Sequence, residues 1–424
     1  MSSNLKYVVR QTGTSNISIS RALIVAGLAV VNLTVFSLAT MQQTYAGTRE
    51  QAKRIHDRLA GVPPSNVVLD QMESLVIEGN VRGAANIAMQ DPAFYSVTLK
   101  NWIAPWTNED ADIFAPLNDY TATVIGVTRD EIDFRQILSG DILYIGNASS
   151  GVPAYSITSN AHYQALEDQS ANLMEVLQAT TQSAVTGLPV DATAGVMTTR
   201  AAAKSYFKDG TNRAMFRFTL INHMCTDLEG LKDNSRSPDR IRQDISRSPG
   251  GDSRIFNNSC VSCHSGMDPL AQAFAYYNYD YNVDNDPEGE QGSLQYNQAG
   301  EIDANTGSRT QAKYHINSNN FPYGFVTNND NWSNYWRQGL NKNLGWDESL
   351  PDNGSGAKTM GQELANSQQF ASCQVTKVFE NICLRSAQDV ADRTQISSMT
   401  HTFTSTGYNI KQVFADSAEY CKGE

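Results

Sequence analysis

The motif Cys260-Val261-Ser262-Cys263-His264 is the most informative stretch of the sequence. Two cysteines separated by two residues and followed by a histidine form the attachment signal of c-type haem. On a turn, the two thiols reach the two vinyl groups at one edge of a porphyrin and form thioethers, and the adjacent imidazole then lies under the iron. The sequence therefore predicts one covalent haem c, attached through Cys260 and Cys263 and ligated by His264.

Three other interpretations of this motif compete with haem attachment. A thioredoxin-like redox pair needs a βαβ setting, which the surrounding sequence does not indicate. A zinc site needs a second pair of cysteines or histidines, and the remaining histidines are scattered along the chain. A structural disulfide between Cys260 and Cys263 is the third alternative and a rare one. We therefore favour haem.

The N-terminal segment indicates the compartment. Three basic residues, Lys6, Arg10 and Arg21, precede an apolar run at 22–40 that contains no charge. Small residues follow it where a signal peptidase cuts, and a run of about 19 residues is at the lower limit for crossing a bilayer. Residues 1–46 are therefore predicted to be a signal peptide or a retained membrane anchor, with a buried core helix as the third interpretation. In the first two cases the rest of the chain is periplasmic or otherwise extracytoplasmic, and only this segment, if retained, contacts the membrane.

Four cysteines lie outside the motif, namely Cys225, Cys373, Cys383 and Cys421. An even number is typical of disulfides in an oxidising compartment. Cys373 and Cys383 lie on one predicted helix, where 1.5 Å per residue separates them by about 15 Å along its axis. That distance is too long for a disulfide. Each must therefore pair with Cys225 or Cys421, and both such arrangements stay open. Four free buried thiols are the alternative.

Apolar spacing, capping residues and Gly or Pro stops predict a mainly α fold. Within it, Thr128 and Glu131 match a capping box that begins a helix. The region 141–158 is expected to be extended, and the Asn- and Gly-rich region 276–356 is expected to form long loops. The predicted helices cover residues 49–60, 66–78, 92–103, 128–138, 161–178, 212–228, 368–384, 390–399 and 409–421.

The residues around the motif resemble the planctomycete-type cytochrome c modules, in which CxxCH is followed by Asp-Pro-Leu, Phe-Ala and an aromatic residue before Asp. The resemblance implies a helical N-terminal domain at 47–208 and a cytochrome c-like haem domain with long loops at 209–424. The segment before Cys260 departs from the family, because it is rich in Ser, Gly and Arg instead of forming a histidine-containing helix. The similar stretches are 58–64, 135–143, 187–225, 260–270, 273–275, 279–280, 300–303 and 370–383.

The sixth iron ligand is not specified by the motif. Met360 and His315 are the two candidates, since each lies in or beside flexible sequence able to fold over the haem, and an open iron is the third possibility. Met267 is too close to His264 in sequence to reach the opposite face. The main-chain carbonyl of Pro269 is predicted to accept the ring N–H of His264, because ligating histidines usually have such an outer contact.

The net charge and the motifs together favour electron transfer. A formal charge of −12 offers no basic stripe for phosphates, so it argues against a nucleic-acid partner. One haem and no second catalytic constellation fit an electron carrier that docks transiently with a redox partner protein. The alternative is a haem-dependent oxidoreductase or peroxidase-like enzyme with an open iron site, for which Arg254 and His315 are the distal candidates. A structural or binding role for the haem is the third hypothesis.

Overall fold

Helices form 56% and strands 7% of the computed structural model, which describes residues 46–423. The prediction of a mainly α fold is confirmed. The first ten α-helices are α1 Thr48–Ala60, α2 Asn66–Ile77, α3 Val81–Ala88, α4 Lys100–Ile103, α5 Asp119–Arg129, α6 Gln136–Ser139, α7 Ala161–Asp168, α8 Leu173–Val176, α9 Gln182–Thr186 and α10 Arg200–Phe207. The others are α11 Asn212–Met224, α12 Ser253–Ile255, α13 Val261–Ala271, α14 Gly356–Ala365, α15 Gln368–Cys383, α16 Val390–Ser405 and α17 Ile410–Cys421.

Capping residues explain where several helices begin and end. Gly61 ends α1 with a φ of 73°, a left-handed conformation that favours glycine. The Ser65 hydroxyl then accepts the main-chain N–H of Val68 and begins α2. In the same way, the side chain of Ser367 begins α15. The end of α1 at Gly61 was predicted from that residue, and the starts of α2 and α15 agree with the predicted helix bounds of 66–78 and 368–384.

The predicted capping box at Thr128 is wrong. Thr128 lies in the last turn of α5, where its hydroxyl donates to the carbonyl of Val124 at 2.8 Å. Glu131 follows the helix with a φ of 54°, so it reverses the chain instead of capping a new helix. The competing signal was Asn118, whose side chain begins α5 ten residues earlier than predicted. The predicted helix at 128–138 is therefore reduced to α6.

Within residues 46–423, six short strands form three two-stranded antiparallel sheets. The first sheet lies partly in the region predicted to be extended, and the other two lie within the region 276–356 predicted to be loops. The strands are β1 Leu143–Gly146 with β2 Leu177–Thr180, β3 Tyr277–Asp280 with β4 Ser293–Tyr296, and β5 Asn331–Ser333 with β6 Asn353–Ser355.

Residues 47–423 form one compact unit whose core includes residues from both its first and its last helices. Phe414 of α17 meets Phe94 and Trp102 edge to face, with ring centroids 5.2 Å apart in each pair. The predicted boundary at residue 208 lies between α10 and α11. These two helices pack together, and the rings of Tyr206 and Phe218 stack at 4.7 Å.

Two disulfides connect α15 to its neighbours. Cys225 pairs with Cys373 and Cys383 pairs with Cys421, at Cα separations of 5.4 and 5.5 Å. Cys373 and Cys383 do not pair with each other, which confirms the exclusion based on helix geometry. Of the two arrangements left open, the fold selects the one in which α15 is tied to the end of α11 at one site and to α17 at the other.

The predicted signal peptide or membrane anchor covers residues 1–46, of which residues 1–45 lie outside the described part of the chain. Among residues 46–423, no helix is long and apolar enough to cross a membrane.

Candidate functional site

The CxxCH motif is helical in the structure. A π-helical turn at Phe256–Cys260 runs directly into α13, so the motif occupies the beginning of a helix and not the isolated turn that we expected. Residues three and four positions apart lie on the same face of a helix. Cys260, Cys263 and His264 therefore share one face, which is the placement that attachment to one porphyrin edge requires.

The two motif cysteines are free and partly exposed, whereas the other four are paired. The sulfur of Cys263 lies 3.7 Å from the carbonyl of Leu228. Burial raises the pKa of the Cys263 thiol, while thioredoxin-like motifs depend on a lowered one. The sheets near the motif are also two-stranded and antiparallel, so neither the fold nor the thiol environment favours the thioredoxin-like interpretation.

His264 is held by a carboxylate on the next turn of the same helix. Its Nδ1 lies 2.9 Å from Oδ1 of Asp268, and the His264 side chain is 18% exposed while that of Asp268 is completely buried. No group in the described part of the chain bonds to Nε2. The prediction that Pro269 would orient the ring through its carbonyl is wrong, since the side chain of Asp268 has that position and Pro269 lies inside α13.

Asp268 belongs to a larger buried ion network. Arg213 of α11 donates to both of its oxygens, at 2.8 and 2.9 Å, and also pairs with Asp244 at 2.7 Å. Arg242 donates to Asp244 at 2.8 Å, and its main-chain N–H donates to Asp268 at 3.3 Å. Although burial opposes it, the positive charge of Arg213 and the contact with His264 hold the pKa of Asp268 well below its usual range.

Close packing against Trp336 positions α13. A Cβ atom at Gly266 would lie only 1.9 Å from Nε1 of Trp336, so glycine alone allows the indole to approach the helix this closely. Trp336 is completely buried and packs against Phe216 of α11 with ring centroids 5.9 Å apart. The segment that carries His264 is therefore fixed from two sides, by Trp336 and by the contact of Arg213 with Asp268.

Apolar side chains flank the motif. Ile255 is 47% exposed one turn before Cys260, and Phe256 beside it packs under the guanidinium of Arg247 at 4.8 Å. On the other side, the main-chain N–H of Asp233 donates to the carbonyl of Ser262, and the Asp233 carboxylate accepts from the N–H of Leu340. Leu340 is 71% exposed. Two free thiols, an imidazole with its Nε2 unbonded and the exposed Ile255 nearby fit a haem attached at the surface of the protein.

The residues predicted for the distal side of the haem are buried in the core or bonded to other groups of the protein. Met360 is completely buried in the core on α14. Nε2 of His315 lies 2.6 Å from the carbonyl of Thr327 and donates to it. Arg254 is 83% exposed at its side chain and forms an ion pair with Asp252. These contacts occupy Arg254 and one nitrogen of His315, and the identity of the sixth ligand stays a prediction.

Sequence reasoning missed Asp268 as a partner of His264 and missed Arg213 altogether. The spacing of His264 and Asp268 is four residues, which places them on one helix face. This spacing was visible in the sequence, but it indicates a contact only in a helix, and the motif was expected to form a turn. Arg213 lies 55 residues from Asp268 in sequence, and only the packing of α11 on α13 brings them together.

Within residues 46–423, no group of three or more His, Cys, Asp or Glu side chains is placed to hold a metal ion. A zinc site built from protein ligands alone therefore has no support there. Haem differs because the porphyrin itself supplies four nitrogens and needs one or two protein ligands. Comparison of the chain with protein-family models, with curated proteins and with solved structures finds no match in any of the three. The resemblance to planctomycete-type modules remains a prediction.

Proposed function

We propose that this chain is an extracytoplasmic c-type cytochrome that carries one haem c at Cys260, Cys263 and His264 and transfers electrons to a partner protein. One observation carries the proposal. All four cysteines outside the motif are paired, while the two inside it are free and lie on the helix face that also carries His264.

The pattern of cysteine pairing supports this chemistry. Two disulfides are typical of a protein that folds in an oxidising compartment. Free thiols two residues apart are prone to oxidation there, and thioether attachment removes both of them from redox chemistry. In the proposal, Cys260 and Cys263 hold the porphyrin, His264 ligates the iron through Nε2, and Asp268 keeps the imidazole in place. The bound haem supplies a one-electron couple.

Electron transfer is favoured over catalysis by the surroundings of the motif. The thiols are partly exposed and the neighbouring Ile255 and Leu340 are exposed, so a partner protein has access to this edge. Small interfaces are typical of transient redox complexes. The net charge of −12 favours a basic partner. Arg254 and His315 were the distal candidates for a peroxidase-like site. Both are bonded to other groups, since Arg254 pairs with Asp252 and His315 donates to Thr327.

Covalent attachment is tested by co-expressing the full chain with a haem maturation system in a bacterial periplasm. We expect the mass of the purified protein to increase by one haem and its colour to resist extraction with acid acetone. A variant with both Cys260→Ser and Cys263→Ser should lose the haem. The matched variant with Cys225→Ser and Cys373→Ser removes two other cysteines and should retain it. An unmodified wild-type mass, or extractable haem, contradicts the proposal.

The choice between transfer and catalysis is tested on the same material by absorption spectroscopy. Low-spin bands that do not move when cyanide or peroxide is added, together with rapid reduction by a small basic cytochrome, are the expected result. High-spin bands that shift with either reagent would instead support an enzyme with an open iron site, and the transfer proposal would then be wrong.

A further inference from the structure

A buried network of four charged side chains stands directly behind the motif histidine. It consists of Asp268, Arg213, Asp244 and Arg242, and it contacts His264 only through Asp268. We infer that Asp268 is a positioning residue that fixes the tautomer of His264 and lowers the reduction potential of the haem. The effect on potential rests on the proposed haem function, whereas the effect on the tautomer does not.

The hydrogen bonds of Asp268 leave it no freedom to turn. Its Oδ1 accepts from Nδ1 of His264 and from Nε of Arg213, while its Oδ2 accepts from Arg213 and from the main-chain N–H of Arg242. These four donors match the roughly four lone-pair sites of a carboxylate. The side chain is therefore locked in one rotamer and one orientation.

This arrangement decides where the proton of His264 resides. An ionised carboxylate only accepts hydrogen bonds, so Nδ1 of a neutral His264 must carry the hydrogen that lies between it and Asp268. Nε2 then keeps its lone pair and is the nitrogen available to a metal. The proton on Nδ1 and the lone pair on Nε2 are thus two consequences of one contact.

The charge balance of the network explains why the imidazole keeps its proton. Two acidic and two basic side chains give no net charge. Arg213 donates to both oxygens of Asp268, whereas the histidine contacts only Oδ1. The carboxylate therefore polarises the ring N–H without competing strongly for the proton. A hydrogen bond of this kind makes a ligating imidazole a better donor, and a better donor favours ferric over ferrous iron.

The network also offers a matched pair of variants. Asp268→Asn and Asp244→Asn each remove one negative charge from the same cluster, and each leaves Arg213 one acidic partner. Only Asp268 touches His264. A purely structural role predicts similar effects of the two substitutions, whereas a positioning role predicts a larger effect of Asp268→Asn. A purely electrostatic role predicts that Asp268→Glu, which keeps the charge, leaves the potential unchanged.

The test measures the reduction potential of the haem-loaded chain by spectroelectrochemistry and the tautomer of His264 in the unloaded chain by ¹⁵N NMR. Outer-contact substitutions at metal sites cost about 10-fold or more in affinity. If Asp268→Asn weakens the preference for ferric iron about tenfold, the potential rises by about 59 mV for one electron. We expect Asp244→Asn to produce less than half of that rise. Asp268→Glu, which restores the charge, should recover part of the shift.

Several outcomes would overturn the inference, and they differ from those that overturn the proposed function. Equal shifts in the two Asn variants, or no shift in Asp268→Asn, would remove the special role of Asp268 while leaving the haem in place. If Asp268→Asn does not accumulate as folded protein, the ¹⁵N NMR spectrum of the unloaded wild-type chain still tests the inference. A proton on Nε2 of His264 instead of Nδ1 would contradict it. A chain that never takes up haem refutes the function, and the tautomer measurement then tests Asp268 alone.

Discussion

Replacing Gly266 by alanine tests how tightly the motif helix is packed. Gly266 lies in α13, two residues after His264, and its Cα faces the indole of Trp336. A Cβ atom there would lie 1.9, 2.4 and 2.7 Å from Nε1, Cε2 and Cδ1 of that ring. All three distances are far below van der Waals contact, so the substitution requires Trp336 or the helix to move.

Two opposing effects set the size of the change. Alanine is better than glycine in a helix by about 1 kcal/mol, which would stabilise the variant. Overpacking a core costs about 1–3 kcal/mol, and the upper end applies here because Trp336 is completely buried and packed against Phe216. We therefore expect Gly266→Ala to lower the free energy of unfolding by about 2 kcal/mol, the difference between these two effects.

Gly230→Ala is the matched control. Gly230 lies in a short 3₁₀ turn near Cys263, and the nearest atom to its added Cβ is a methyl group of Thr226 at 3.6 Å. Because that is an ordinary contact at an exposed position, we expect a change within about 0.5 kcal/mol. Urea unfolding followed by tryptophan fluorescence measures both variants. A Gly266→Ala protein as stable as Gly230→Ala would refute the packing argument, and reduced haem loading of the first variant alone would link the packing to the site.

Three further predictions concern disulfides, pH and the core. Replacing both Cys225 and Cys373 by serine opens a loop of 148 residues and should lower the free energy of unfolding by about 5 kcal/mol in the chain-entropy description. Urea unfolding measures this loss, and a smaller loss than for removal of the Cys383–Cys421 disulfide would contradict the prediction. Burial lowers the pKa of Lys313 to about 8 and that of Lys377 well below its usual range, so the unfolded chain binds more protons and stability should rise from about pH 8 toward pH 10. A Lys313→Met variant should show a smaller rise in urea titrations at the two pH values, because Lys377 then contributes without Lys313, and an identical rise would refute the assignment. Met360→Leu conserves volume in a fully buried position and should lower the free energy of unfolding by less than about 1.5 kcal/mol. Loss of a weak red sulfur-to-iron band from the absorption spectrum of the haem-loaded variant would identify Met360 as the sixth ligand, and an unchanged spectrum would exclude it.

Local signals predicted much of the helical architecture. Gly61 and Ser65 set the end of α1 and the start of α2, because left-handed glycine and a serine cap act within a few residues. The same reasoning failed at Thr128, where the Thr-x-x-Glu pattern matched a cap inside a helix that Asn118 had already begun. A short motif does not reveal whether the chain before it is already helical.

The candidate site was predictable only in part. The spacing of Cys260, Cys263 and His264 is a local property of the sequence, and it points to haem attachment without reference to the fold. The hydrogen bond from His264 to Asp268 followed from helical spacing once the motif was known to be helical. The interaction of Asp268 with Arg213 connects residues on two helices, and no spacing in the sequence indicates it.

The sequence by itself determined the spacing of Cys260, Cys263 and His264, the mainly helical composition and the rule that Cys373 and Cys383 do not pair with each other. Each of these depends on residues within about one helix length, where backbone geometry is the same in every protein. Only the tertiary structure decided which disulfides form and which side chain holds His264. Those outcomes depend on how distant helices pack, because burial brings together groups such as Arg213 and Asp268 that charge and sequence position alone do not pair.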